Sequence, residues 1–167
     1  MSHLLICGSA SCLWDDLRRV GKWVGDVMAI NLAAFHVPLR LTHWVSIHPQ
    51  MFLGRAFHWW MRSDIQSDLV TTHCSKEGEG VDRVWRFPQR GHSGYFACMV
   101  AYLMRRYDGA ILAGMPMHGG PRFYDDQAGD SEMGSGWSEL PADFFRSVSG
   151  ATCRRFGYPS QDMLGHA

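Results

Sequence analysis

A helix that feeds directly into an all-apolar run constrains this chain more than any other stretch. From Gly91 to Gly120 the sequence reads GHSGYFACMVAYLMRRYDGAILAGMPMHGG. Ser93 is a good helix N-cap, and Gly94 behind it leaves room for a group to approach the backbone. Phe96, Met99, Val100, Leu103 and Met104 recur on one helical face. Arg105 and Arg106 favour the carboxyl end of that helix, where the helix dipole is negative. Asp108-Gly109 closes it. Ala110-Ile111-Leu112-Ala113 then has no polar face, as a strand covered on both sides requires. A helix feeding such a strand is half of a βαβ unit. Open sheets of this kind bind ligands at the carboxyl ends of their strands, so the turn from Met115 to Gly120 falls where chemistry would sit.

The preceding sequence repeats the theme. His3 to Cys7 is a short apolar strand closed by Gly8-Ser9-Ala10-Ser11, and Cys12 to Val20 follows as a helix with Leu13, Trp14 and Leu17 on one face. Small side chains in that loop let backbone N–H groups meet a phosphate or a ribose. A single glycine does not match GxGxxG, and a simple tight turn accounts for the loop equally well. Asp26 to Ala34 predicts a second strand, interrupted by Asn31. A buried amide without partners costs about 1–3 kcal/mol, so Asn31 is either a turn-former or a ligand contact. Thr42 to His48 alternates as a third strand and ends at His48-Pro49. Three successive strands therefore finish in Gly8, Asn31 and His48. Parallel pairing would set these along one edge of a sheet.

Further on, Phe52 to Arg62 reads as an aromatic-rich helix, Asp68 to His73 and Val84 to Phe87 as strands, and Cys74 to Asp82 as a solvated loop. The glycine-rich, acidic stretch within 115–137 predicts a long loop of the kind used as a lid. Pro141 and Asp143 introduce a terminal helix near 140–150 (Leu140 to Val148). No repeat or linker divides the chain, and 167 residues suffice for one domain with a proper core.

Sixteen basic residues balance sixteen acidic ones at a pI near 7.1, which leaves no broad footprint for nucleic acid or an anionic membrane. The pairs Arg105-Arg106 and Arg154-Arg155 read as solvated helix ends. No run of about 20 apolar residues and no signal peptide is present, so no membrane span is expected. The five cysteines have no framework spacing, and Cys7 and Cys98 sit in apolar runs, which predicts core thiols and a cytoplasmic location. Nine histidines form no HExxH and no shared i,i+4 face, and no CxxC occurs, so no metal site is expected. Ser11 and Ser93 lack a GxSxG elbow; a nucleophilic cysteine would be Cys12, at a helix start.

Taken together, these motifs resemble the bacterial sialyltransferase family that uses CMP-activated sialic acid, with its related glycosyltransferase-like domains. LLICGSASCL is similar to the family's first strand and its Gly-Asn-Gly-Pro-Ser loop: Gly8 and Leu13 match, while Ser9, Ala10, Ser11 and Cys12 replace the other loop residues. DVMAIN resembles a second strand that ends in a nucleotide-contacting Asn, here Asn31. WVSIHPQMF resembles a segment with a ligand-contacting Asn-Pro, His48 standing for Asn and Pro49 retained. HSGYFACMVAYLMRRYDGAILAGMPMH resembles the family's Ser-Gly helix and next strand, with Ser93, Gly94 and Gly114 matching. The family's two phosphate-stabilising tyrosines fall on His118 and Tyr124. Its acidic residue is replaced by Pro116, its general-base histidine has no counterpart, and the likeness covers roughly residues 3 to 124.

The resemblance implies a single Rossmann-like α/β domain, with a mainly parallel sheet and helices on both faces. It also implies a nucleotide or nucleotide-sugar across Gly8, Ser9, Asn31, His48, Ser93 and Gly94. His118 and Tyr124 would be catalytic, stabilising the leaving phosphate as a sugar passes to an acceptor hydroxyl. No cofactor is implied beyond the nucleotide-sugar as co-substrate. The alternatives are a non-catalytic nucleotide-binding module that kept the pocket, and an interaction domain using the aromatic surface around Trp59-Trp60. The acceptor stays open, as does assembly into a homo-oligomer.

Overall fold

The computed structural model describes residues 2–53, 70–87, 93–115, 121–122, 125–128, 140–141 and 143–148. Seven strands make one sheet: β1 His3–Cys7, β2 Asp26–Ile30, β3 His43–Ser46, β4 Thr71–Cys74, β5 Arg83–Val84, β6 Gly109–Ala113 and β9 Phe145–Ser147. Their order is β5-β4-β3-β2-β1-β6-β9, and every pair is parallel. Two short strands, β7 Pro121–Arg122 and β8 Asp125–Ala128, pair antiparallel by themselves. The expected Rossmann-like α/β fold is what forms.

Helix α1, Leu13–Val20, carries Asp15 and Asp16 in its first turn and Arg18 and Arg19 in its last, each pair complementing the helix dipole. Helix α2, Ser93–Leu103, ends where Arg105 turns left-handed at φ 53°, four residues before the predicted Gly109 stop. Its guanidinium then lies over the Tyr102 ring at 4.3 Å, a cation–π contact that offsets part of the backbone cost.

Strand alternation divides the core in two. Leu4, Ile6, Met28, Ile30 and Val45 face α2, meeting Phe96, Ala97, Val100 and Ala101. Leu5, Cys7, Val27, Ala29 and Trp44 face the other way, with Leu13 of α1. The chain leaves β1 toward β2 in one direction and later crosses from β5 to β6 in the other. Right-handed crossovers that travel in opposite directions lay their helices on opposite faces, and that is where α1 and α2 sit.

Two predicted elements are corrected. The second strand stops at Ile30, because Asn31 takes φ 50°, a left-handed conformation that cannot continue a pleat. Asn31–Phe35 follows as a 3-10 turn. The expected terminal helix near 140–150 is instead the strand β9. The edge of β6 would otherwise be an unpaired row of backbone groups. Phe145–Ser147 fills it: Ala110 N–H donates to Phe144 O at 2.8 Å and Val148 N–H to Leu112 O at 3.1 Å. Phe145 and Ser147 are buried around half-buried Arg146, an alternation of period two that a helix would not produce. In the stretch expected as a lid, β7 and β8 interrupt the loop, while 116–120 lie outside the described residues. So do 54–62 of the predicted aromatic helix. No helix among the described residues is long and apolar enough to cross a membrane.

Phe145 is fully buried and packs edge-on against Phe144 at 4.8 Å. Phe145→Ala is expected to cost about 3–5 kcal/mol in urea unfolding. A loss below about 1 kcal/mol would mean that this segment is not a buried strand.

Candidate functional site

Register places the predicted residues on one edge. Cys7 lies beside Ala29 and Ile30 beside Val45, so Gly8, Asn31 and His48 all follow the carboxyl ends of neighbouring strands. Strands are about 4.8 Å apart, which spreads the three over roughly 10 Å, the scale of a nucleoside. Helix α2 comes from β5 and feeds the parallel β6, so Ser93 and Gly94 open it at the same edge. Gly8, Ser9, Asn31, His48, Ser93 and Gly94 therefore all lie at the same edge of the sheet. The predicted catalytic pair, His118 and Tyr124, lies outside the described residues.

The six are not equivalent. β1 is flanked by β2 and β6, so the order reverses between β1 and β6, the position where such sheets open a crevice. Here the two loops are zipped together: Gly8 N–H donates to Ala113 O at 2.8 Å and Ala10 N–H to Gly114 O at 3.1 Å. A Cβ on Gly8 would stand 2.5 Å from Gly114 O, and one on Gly114 2.7 Å from Gly8 O. The small size of Gly8 thus serves contact between backbones. Asp16, buried at 1% exposure, accepts the Gly114 N–H at 2.8 Å and locks the junction from α1. In the sequence, nothing beyond its place in the first turn of α1 marks Asp16.

Asn31 and Arg146 each bury a side-chain polar atom that has no hydrogen-bond partner among the described residues, and of the two only Asn31 is among the predicted site residues. Its main-chain carbonyl accepts the Trp44 indole N–H at 3.0 Å. Its side-chain Oδ1 is shut off from solvent and has no hydrogen-bond partner among the described residues, although the residue as a whole is half-buried. His48 is exposed; its backbone N–H donates to Ser46 Oγ at 3.0 Å and Pro49 starts the next 3-10 turn. Ser93 is buried, Ser9 and Gly94 half-buried.

A second polar cluster was missed by sequence reasoning, which weighed His43 and His73 only as metal ligands. The Trp85 indole N–H donates to His73 Nδ1 at 2.9 Å, and His73 Nε2 lies 3.1 Å from His43 Nδ1. His43 Nε2 lies 2.7 Å from the Tyr107 hydroxyl, which donates to Asp26 Oδ2 at 2.7 Å. Arg106 pairs with the same oxygen at 3.2 Å. The ends assign the tautomers: an indole can only donate and a carboxylate only accept, so both imidazoles are neutral with the proton on Nε2. Burial pushes the His43 pKa down to about 4 and that of His73 to about 3, the neighbouring His43 lowering the latter further. Burial and the bond to Asp26 raise the Tyr107 phenol. Asp26 and His43 also line a cleft of about 540 Å³ with Trp23, Arg40, Thr42 and Arg106, at the amino edge, opposite the predicted site.

The thiols of Cys7 and Cys98 are fully buried, and burial pushes both up, Asp16 adding to the effect at Cys7. They are packing residues. Among the described residues no three His, Cys, Asp or Glu side chains could hold a metal ion.

Gly8→Ala and Gly114→Ala are each expected to destabilise by about 1–3 kcal/mol, read as a fall in melting temperature of roughly 3–10 °C. Gly114 also has φ 64°, so its loss should be the larger. Wild-type melting of Gly8→Ala would refute the tight junction. Comparison with protein-family models, with curated proteins and with solved structures finds no match to this chain.

Proposed function

We propose that this chain is a glycosyltransferase-like protein that binds a nucleotide or nucleotide-sugar along the carboxyl edge of the sheet. The observation that carries the reading is the buried Oδ1 of Asn31, just after β2, which has no hydrogen-bond partner among the described residues. An acceptor left this way costs about 1–3 kcal/mol, and a ligand that displaces the side chains covering it and donates to it recovers that cost. Exocyclic amino groups of bases and ribose hydroxyls are such donors. The neighbours suit the same ligand: Ser9 and the start of α2 offer hydroxyl and N–H donors, and His48 offers an exposed ring. Sugar transfer would add His118 and Tyr124 as donors to the leaving phosphate while a base takes the proton of an acceptor hydroxyl.

A non-catalytic binding module is the second reading. Of the six edge residues, only His48 carries an imidazole, and the others offer hydroxyl, amide or backbone groups, so the set is better equipped to bind than to transfer protons.

Thermal-shift measurements with CMP, UDP, GDP, ADP and their sugar conjugates test the pocket. A cognate nucleotide at about 100 times its Kd adds about 2.7 kcal/mol, a rise of roughly 5–10 °C. Asn31→Gly keeps the left-handed backbone and removes the acceptor; it is expected to weaken that ligand about tenfold while melting near wild type. No shift with any of these compounds at millimolar concentration would remove the proposal's support. Nucleotide-sugar turnover abolished by His118→Ala would favour the transferase, and binding without turnover the module.

A further inference from the structure

We propose that the His43–His73 pair is a proton-operated latch that holds Trp85, and with it the β4–β5 edge, against the α2 face of the sheet. The inference does not depend on what the carboxyl edge binds. From Trp85 to Asp26 the hydrogen-bond chain runs in a single direction, and every junction already holds one proton. Adding a proton to His73 Nδ1 sets it against the Trp85 indole N–H. Adding one to His43 Nδ1 sets it against His73 Nε2–H, and shifting that proton across the ring moves the conflict to Trp85. Either protonation therefore breaks the chain on the Trp85 side.

The surroundings keep the latch closed near neutral pH. The groups that act on the two rings are Asp26 on β2, Arg106 and Tyr107 after α2, Arg83 on β5 and Asp82 just before it. Asp26 and Asp82 favour an imidazolium; Arg106, Arg83 and burial oppose it, and burial is the largest effect at both rings. Protons have a route in, because Asp26 and His43 line the amino-edge cleft. The sign follows from linkage. Both folded-state pKa values lie below the ordinary histidine value of about 6.5, so the unfolded chain binds the extra protons. Stability is complete above about pH 6.5 and declines as pH falls toward about 4.

Opening the latch would act at a distance from the histidines. The Trp85 backbone N–H bonds Cys74 O at 2.9 Å, and Phe87, two residues on, stacks on Phe96 at the start of α2 with 5.2 Å between ring centroids. Losing the indole anchor loosens Trp85 to Phe87, the stretch that packs on the start of α2.

Three readouts test the latch. Imidazole ¹H–¹⁵N spectra of the wild-type protein at pH 6 should show both rings neutral with the proton on Nε2; an imidazolium at either ring would overturn the proposal without any variant. Lowering the pH from 7 to 5 should reduce the melting temperature on the order of 10 °C. Continuing to about pH 4, where His43 of the folded protein takes up its proton, should reversibly red-shift the part of the tryptophan emission that Trp85→Phe removes; an unchanged Trp85 signal at that pH would refute the release. His43→Gln combined with His73→Gln can donate and accept in the same direction without titrating, and should flatten the pH dependence. A folded double variant with the wild-type profile would overturn the latch, and if that variant does not fold the spectra and the Trp85 signal decide.

Discussion

β1 has no free side. Leu4, Leu5, Ile6 and Cys7 are all fully buried, alternate residues serving opposite layers, and both of its edges are hydrogen-bonded, to β2 and to β6. Burying apolar surface on both faces of one strand demands a layer on each side. Pairing both edges in parallel demands that the chain travel outward in one direction and return to cross in the other. The order reversal beside β1, the positions of α1 and α2 and the gathering of loops at one edge all follow from that single central strand.

The two edges of the sheet treat polar groups differently. From the amino edge, Asp26, Tyr107, His43, His73 and Trp85 satisfy one another in sequence, so the two of them that line the cleft there, Asp26 and His43, already have their bonds made. At the carboxyl edge, Gly8 and Gly114 close the order reversal through their backbones, and Asn31 is left with an acceptor that no described residue meets. Unsatisfied polarity, more than cavity size, is what distinguishes a surface prepared for a ligand. On that ground we propose the carboxyl edge as the binding edge, although a described cleft lies at the opposite edge. The network at the amino edge suits a structural role whose strength depends on the protonation state of two rings.

Much of this was legible in the chain because the signals were local. An apolar run such as His3–Cys7 or Gly109–Ala113 can only be a buried strand at that length, and Asn31 announced itself by interrupting one. The errors came where local signals competed with a distant partner. Pro141 and Asp143 are sound helix-start residues, yet Phe145–Ser147 pairs with β6, about 35 positions earlier in the chain, because an uncovered sheet edge outweighs a weak helical preference. The histidine chain was invisible for a related reason: Asp26, His43, His73, Trp85 and Tyr107 share no spacing and meet only when β2 to β5 lie side by side beneath α2.

The amino-acid order alone therefore settled the parallel α/β class, the strands that must be buried and the residues that fall at their carboxyl ends, since each of these depends on side chains a few positions apart. Only the folded chain decided that Gly8 serves Gly114, that Asp16 pins their junction, that β9 closes the sheet and that two histidines hold a tryptophan. Each of those depends on hydrogen-bond partners from separate strands, and hydrogen-bonding geometry acts over about 3 Å in space regardless of distance along the sequence.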